Sequence, residues 1–551
     1  MPSNTVFLAL LSIFSVISLV VHHVLDMSPV ASLATSMAVV LFLYSIVWLS
    51  WIHPRYFSPL RIIPTAPGFP LWGQFFEIIT TECGVPQRRW HKELGPIVRY
   101  FFPFGAERLS IADDEALKYI TKENYYNFPK PVRAKLWMER ILGEGVLLAE
   151  SHAHQIQRKA LAPAFSVQAI KAITPAFWNK ALFLGSLWHK EVRQKGENTI
   201  KIEILEWINR CTLDIIGEAG FGYEIGCLDN QDLPIRQAYR LVFNFDLLSR
   251  VFHGLQAFFP FTRYIPTQAN RDMETARGII IEKATSIMME RLHGEDLSGR
   301  RDILSMISRE NDMLKKRGSA GLSQTTIRDQ IMTFLGAGHD TTATAVVWTL
   351  HQLSIHGDVQ SRLRDEIRAH MPFLFDKKTR HDHSLCNAVD VDQLSYLDNV
   401  CRESLRHIPP IPMTVREVAT ACKLGPYAVP SGTVIYMLAN AINRLPAFWG
   451  DTADKFDPDR WDNLPETAKT PNAFMTFLHG PRGCIGRKFA EVEMKVILCS
   501  LLSMYEFRHD EAFPDPEQWK MWRLVLRPKH GIDMFVTLLE EHRDVDQGGE
   551  E

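Results

Sequence analysis

The chain has 551 residues, 46% of them hydrophobic and 23% charged, enough to bury one large core or two or three smaller ones. Its 61 Lys and Arg face 63 Asp and Glu, and the formal net charge of −2 offers no basic surplus for a nucleic-acid partner. The 8 cysteines are scattered without a CxxC or CxxC/HxxxH pattern, which gives no support to zinc, dithiol redox chemistry or a disulfide framework and points to a reducing compartment.

The amino-terminal end differs from everything after it. Val6–Val21 is apolar but lacks a basic leading segment and a clear cleavage site. Val30–Ile52 carries no charge and reaches the ~20 residues that span a bilayer core. Trp48 and Trp51 lie near its far end, where interfacial aromatics are usual, and Arg55 and Arg61 just beyond place the remaining chain on the cytosolic side. Residues 1–52 therefore read as a membrane anchor of one or two transmembrane helices. Residues 53–70 hold Pro54, Pro59, Pro64, Pro67 and Pro70, a spacing that predicts an extended, stiff linker.

Residues 71–541 read as one mostly helical domain with small β-sheets, and 542–551 as a polar, frayed tail. The stretch 95–112 predicts two strands around a Pro-Phe-Gly turn, and Thr433–Met437 a further strand. In "HAHQIQRKALAPAF" (152–165), His154 and Arg158 lie one helical turn apart on the same face. The aromatic stretch "FNFDLLSRVFHGLQAFFPF" (243–261) reads as helix core plus loop, with bordering an access channel as its functional alternative.

A long helical pattern opens near Ser323 and contains "AGHDTT" (Ala337–Thr342). Gly338 costs a helix about 1 kcal/mol relative to alanine, and Asp340 and Thr341 offer its backbone competing hydrogen bonds. So poor a local sequence predicts a kink or widened turn beside a ligand, although an Asp-Thr-Thr run taken alone is most often an exposed face. "ESLR" places Glu403 and Arg406 on one helical face, and "FDPDRW" some fifty residues later offers Arg460 to complete a charge cluster. Arg416 lies in "MTVREV" and Arg133 in "PKPVRAK".

"FLHGPRGCIG" (477–486) spaces Phe, Gly, Arg, Cys and Gly as Phe-x-x-Gly-x-Arg-x-Cys-x-Gly. A thiolate at Cys484 is a ligand for haem iron if its charge is stabilised and its approach left open. Gly480 and Gly486 allow a tight loop close to a flat macrocycle, Phe477 shields the sulfur, and Arg482 suits a haem carboxylate. The helical segment that follows points its N-terminal dipole at the ligand and favours the thiolate.

This loop resembles the cysteine-ligand loop of the cytochrome P450 superfamily of haem-thiolate monooxygenases, and the other stations fall in that family's order over nearly the whole chain after residue 53. The resemblance implies the P450 fold behind a transmembrane helix or hairpin, with haem b (iron protoporphyrin IX) ligated by Cys484. It implies oxygen activation at Asp340 and Thr341: Thr341 hydrogen-bonds dioxygen and Asp340 helps deliver protons. Ala337 and Gly338 lie against the cofactor; His154, Arg158, Arg416 and Arg482 reach its propionates, with Arg133 a further candidate; Glu403, Arg406 and Arg460 lock the fold. His154 stands where many members have Trp.

With too few residues after Cys484 for a flavin domain, electrons come from NADPH through NADPH-cytochrome P450 reductase, with cytochrome b5 as a further donor. The implied setting is the endoplasmic reticulum membrane, with the catalytic domain cytosolic. The substrate is a small lipophilic molecule, and Phe334, Ala337, Ile411–Val415 and Leu136–Leu142 are its expected pocket. The sequence is similar to fungal microsomal members that tailor secondary metabolites (terpenoid, polyketide or alkaloid). The alternatives are a fatty acid, sterol or xenobiotic hydroxylase, a haem-thiolate isomerase or dehydratase needing no external electrons, a haem sensor, and a membrane tether with a vestigial site.

Overall fold

The computed structural model describes residues 28–542 apart from 70, 244–255, 257–259, 294–298, 317, 319–320, 381, 389, 513–519, 523–524 and 530. Val6–Val21, most of the 243–261 stretch and the tail beyond His542 lie outside the described residues.

Ser28 caps helix α1 (Pro29–Val47), which continues directly into a π-helical segment, Trp48–Phe57. Together they make Val30–Phe57, a helix of 28 residues and the one among the described residues long and apolar enough to cross a membrane. Most of its large apolar side chains, Leu41 and Phe42 among them, are exposed, whereas Ser32, Ser36 and Ser50 are buried. Pro54 sits inside this helix, so the expected extended linker starts later than 53. The wide π winding accommodates it: Ser58 N donates to His53 O, five residues back, at 2.8 Å, and Arg99 Nη1 takes the Pro54 carbonyl at 3.1 Å. Arg99 pairs with Glu107 at 3.5 Å, and Ser58 Oγ donates to Glu107 Oε2 at 2.7 Å.

The predicted strand pair forms as β1 (Ile97–Phe102) and β2 (Ala106–Ile111), joined by Pro103–Gly105. Gly105 is required twice over. Its φ is +71°, and a Cβ there would lie 2.0 Å from the Leu49 carbonyl oxygen of the apolar helix. Two later strands, β3 (Thr414–Glu417) and β4 (Val434–Met437), complete a four-stranded sheet of order β1-β2-β4-β3. β2 and β4 are parallel with Arg108 opposite Val434, whereas β3 and β4 are antiparallel with Arg416 opposite Ile435. One face buries Leu109, Ile111, Ile435 and Met437; the other carries the rings of Tyr100, Phe102 and Tyr436. A second, antiparallel sheet joins Thr199–Glu203, Asp533–Leu538 and Tyr505–His509.

Helices supply the bulk of the core: α2 (Val132–Leu142), α3 (Ser151–Leu161), α4 (Gln324–Ile355), α5 (Ser395–His407) and α6 (Arg487–Met504) position the site. α4 begins where the pattern predicts, with the Ser323 side chain accepting from Thr326 N. It crosses the interior, burying Leu335, Val346, Val347 and Trp348 completely. No kink interrupts it at Gly338–Thr342. Thr341 Oγ1 donates to Ala337 O at 2.8 Å and Thr342 Oγ1 to Gly338 O at 3.2 Å, so the hydroxyls are satisfied within a regular turn. The π turn lies instead on the neighbouring segment Ile216–Gly220, where Ile216 would meet a Cβ on Gly338 at 3.3 Å.

Glu403 and Arg406 on α5 pair as a fork, at 2.7 and 2.8 Å, with both side chains fully buried. Arg460 reaches the same carboxylate at 3.3 Å, joined by Asp457 N at 2.9 Å and Trp461 Nε1 at 3.1 Å. The surplus guanidinium donors are taken by the carbonyls of Asn443, Ala453, Lys455 and Thr452. Removing the carboxylate leaves two buried cations uncompensated. Glu403→Ala is therefore expected to cost about 3–5 kcal/mol, read as the shift in a urea or thermal unfolding curve, with Glu403→Gln losing less.

Candidate active site

The Cys484 loop is closed by backbone bonds, Cys484 N to Phe477 O at 2.8 Å and Gly483 N to Gly480 O at 2.9 Å. Gly480 has φ +68°, and a Cβ on it would lie 2.1 Å from the Thr121 carbonyl oxygen. Gly486 works differently: its φ is negative, and it starts α6 while keeping the wall beside Cys484 flat. The Phe477 ring, under the Arg487 guanidinium at 5.2 Å, borders the same space.

Among the eight cysteines only Cys484 is exposed, and what it faces is an interior cavity of about 1160 Å³. The sulfur is thus open to that space yet far from bulk water. Burial pushes its pKa up, and the Gly486 N–H and the Arg158 guanidinium pull it down by less. The neighbours alone therefore do not make the stable thiolate expected from the sequence. A bonded metal cation would, because a coordinated thiol is deprotonated outright.

The same cavity is lined by Ala337, Thr341 and Ala345, one helical turn apart on one face of α4, with Gly338 and Thr342 beside them. These small side chains leave room for a flat ligand between α4 and the sulfur. Asp340 is not on this wall. It is completely buried, its Oδ1 pairs with Arg527, and its Oδ2 has no partner among the described residues. The structure thus brings Thr341, but not Asp340, to the cavity that Cys484 faces.

A cationic cradle forms one end of the cavity. Arg416 is enclosed, donating to Thr414 Oγ1 and Val415 O at 2.8 Å each; burial and Arg482 pull its pKa down to about 10. Arg482 donates to Ala149 O at 2.8 Å and pairs with Glu150, while its buried Nε has no partner among the described residues. His154 sits 3.1 Å from the Tyr126 hydroxyl through Nδ1, and in the tautomer that accepts from Tyr126 its Nε2–H is a free donor. Arg158 lines the cavity and donates to Gly483 O at 2.6 Å, bracing the cysteine loop itself.

Sequence reasoning missed Lys130 and Glu150. Lys130 Nζ lies 3.6 Å from Glu150, and burial with Arg416 nearby draws its pKa down to about 7. Arg133, proposed for the cradle, also lines the cavity but is exposed and belongs to its rim. Only the fold could reveal the substitution, since both cations flank the same turn into α2. Arg416 and Arg482, with Lys130 partly protonated near neutral pH, outnumber the one Glu150 carboxylate, and the His154 Nε2–H adds a donor. Both suit a macrocycle carrying two carboxylates, so the residues present fit haem.

The apolar part of the wall matches the expected pocket: Phe334, Leu136, Leu142 and Ile411–Val415 all border the cavity. Phe334 packs edge-on to Phe165, with ring centres 5.4 Å apart.

The cradle has a pH signature. Burial first, then Arg482, Lys130 and Arg158, hold the His154 pKa down to about 4, below its unfolded value of ~6.5. Above pH ~6.5 both states are neutral there; as pH falls from ~6.5 to 4 the unfolded chain takes the proton first, so stability drops across that window. His154→Gln is expected to flatten this acid limb, checked by urea midpoints measured at intervals of pH.

Over residues 63–534 the chain matches the family model described as Cytochrome P450. It is 33% identical to cytochrome P450 monooxygenase FUM15 of Gibberella moniliformis, over 85% of this chain and 86% of that protein. It is 31% identical to cytochrome P450 monooxygenase ALT8 of Alternaria alternata, over 90% and 92%. With cytochrome P450 monooxygenase buaD of Petromyces alliaceus it shares 32% identity over 97% and 99%. A family model spanning most of the chain, full-length relatives above 30% identity, and a cysteine loop facing a haem-sized cavity agree: the chain belongs to the cytochrome P450 family of haem-dependent monooxygenases.

Proposed function

We propose that this protein binds haem b through Cys484 and inserts one oxygen atom from O2 into a lipophilic substrate, with electrons from NADPH passed by NADPH-cytochrome P450 reductase or cytochrome b5. The observation that carries the reading is that an exposed Cys484 and Thr341 line one and the same cavity. When bound, haem supplies dioxygen activation and the attack on an unactivated C–H bond.

The chain's own residues do the rest. Cys484 provides an anionic sulfur, held in place by the Phe477 carbonyl and softened by the Gly486 N–H. Arg416, Arg482, Lys130 and the Nε2–H of His154 fix the propionates. Thr341 holds a proton at Oγ1 facing the cavity, released by rotating away from the Ala337 carbonyl. Asp340 stands behind the wall as the neighbouring acid assigned to proton delivery, its Oδ1 anchored by Arg527. The apolar residues Phe334, Leu142 and Ile411 orient substrate and exclude water. The Thr341 wall favours this reading over an isomerase or dehydratase, which has no use for a proton relay toward dioxygen.

The substrate class we assign is a secondary metabolite (terpenoid, polyketide or alkaloid), from the resemblance to fungal microsomal members; the similar proteins are likewise fungal monooxygenases. The exposed apolar helix favours attachment to the endoplasmic reticulum membrane with the catalytic domain in the cytosol.

Cys484→Ala is expected to abolish turnover and the red-shifted Soret band of the reduced carbon monoxide complex; a band that survives refutes the ligand assignment. In Thr341→Ala, haem binding is expected to persist while NADPH consumption is diverted to peroxide by roughly tenfold or more, in keeping with the usual size of a general acid–base contribution. Unchanged coupling of NADPH to product, measured with a peroxide assay alongside product analysis, would remove Thr341 from proton delivery.

A further inference from the structure

Three consecutive residues near the carboxyl-terminal end join the cavity to the acid behind its wall. Val525 is 2% exposed and lines the cavity. Leu526, completely buried, is fastened through both of its backbone polar groups. Its N–H donates to the Pro410 carbonyl at 2.8 Å, and its own carbonyl accepts from the Trp348 indole of α4 at 2.8 Å. Arg527 then reaches Asp340 on the same helix. Pro410 leads into the Ile411–Val415 wall, so the short strand Leu526–Pro528 braces α4 against that wall.

The strand does not need Arg527 to stay in place, because the two hydrogen bonds of Leu526 and its buried side chain already hold it. Asp340 does need Arg527. Its carboxylate is completely buried, and Arg527 is its one hydrogen-bond donor among the described residues. Glu403, equally buried, is met by two guanidinium groups, a backbone amide and an indole N–H. The adjacent His339 offers no second cation: burial pushes its pKa down, and its Nδ1 lies 2.6 Å from the Leu335 carbonyl. Glu203, the other carboxylate near Arg527, is already served by the backbone, accepting from Ile532 N at 3.1 Å and Glu206 N at 2.7 Å. A buried carboxylate with a single cation stays where that cation holds it.

Resting on the monooxygenase reading and on the role assigned there to Asp340, we propose that Arg527 is a positioning residue for oxygen activation. It fixes the Asp340 carboxylate behind Thr341 from a strand whose neighbour, Val525, lines the cavity. The geometry of proton delivery is thereby set by a wall that substrate touches. Arg527 acts through Asp340 alone, since it does not itself line the cavity.

The full-length holoenzyme is reconstituted with NADPH-cytochrome P450 reductase in liposomes and turned over on 7-ethoxycoumarin, an apolar probe whose dealkylated product fluoresces. Product formed, peroxide released and NADPH consumed are measured together. Arg527→Ala is expected to lower product per NADPH roughly tenfold, the lost electrons appearing as peroxide, while the thiolate-type carbon monoxide band is retained. Arg527→Lys is expected to recover part of the coupling, a point charge standing in for a fork. Arg527→Ala also leaves Asp340 buried without its cation, so its unfolding midpoint is expected to fall. Adding Asp340→Asn removes that charge and is expected to restore the midpoint, with coupling still as low as in either single variant because both act through one group. Wild-type product per NADPH in Arg527→Ala would overturn the proposal, as would losses that multiply in the double variant. Coupling that returns together with stability would make the role of Arg527 purely structural and overturn it too. If the wild-type protein lacks the thiolate-type band, the monooxygenase reading falls before any variant is compared.

Discussion

A carboxylate can be taken wholly out of water only if cations and N–H donors replace the solvent it loses, and Glu403 meets that demand completely. Two guanidinium groups, a backbone amide and an indole N–H converge on its two oxygens, while four backbone carbonyls absorb the spare arginine donors. Such a cluster contributes little by comparison with a well-packed apolar one, but it admits a single arrangement. It ties α5 to the 443–461 segment, and Asn443 in turn holds Met475 N at 2.7 Å and the Thr476 hydroxyl at 2.8 Å, just before the cysteine loop. The position of Cys484 is therefore inherited from a charge cluster that never touches the ligand.

The cavity shows how one protein keeps opposing electrostatic requirements apart. Sulfur at one wall sits where burial disfavours its anion, so the anion is stable only with a metal bonded to it. Cations at the end wall outnumber their carboxylate, which makes that wall costly until acidic groups arrive to balance it. On the α4 side, beside Phe334, stand small residues and threonine hydroxyls, Thr341 among them. Asp340 of that helix is held behind the wall by Arg527, so its charge does not face the cavity.

Features carried by short, local spacing were legible in the sequence. The Cys484 loop, the Glu403–Arg406 turn, the Pro-Phe-Gly hairpin and the start of the long helix near Ser323 all depend on neighbours within a few residues, and each appears where expected. Features set by tertiary partners were not. Lys130 rather than Arg133 enters the cradle because Glu150, twenty residues on, lies beside it in space. Gly338 does not widen α4, because it is small for the sake of Ile216 on another segment. Pro54 remains helical because a π turn spreads the carbonyls its ring would strike and Arg99 captures its own. Asp340 and Thr341 look equivalent as adjacent letters, yet successive positions on a helix point about 100° apart, and only one faces the cavity.

The junction at Pro54 has a mechanical corollary. Leu49 presses on Gly105 and Arg99 grips the Pro54 carbonyl, so the apolar helix and the four-stranded sheet are welded without a swivel between them. Arg108 rides on that same sheet and lines the cavity. Whatever sets the tilt of the helix therefore aims that wall as well, as a rudder stock turns its blade.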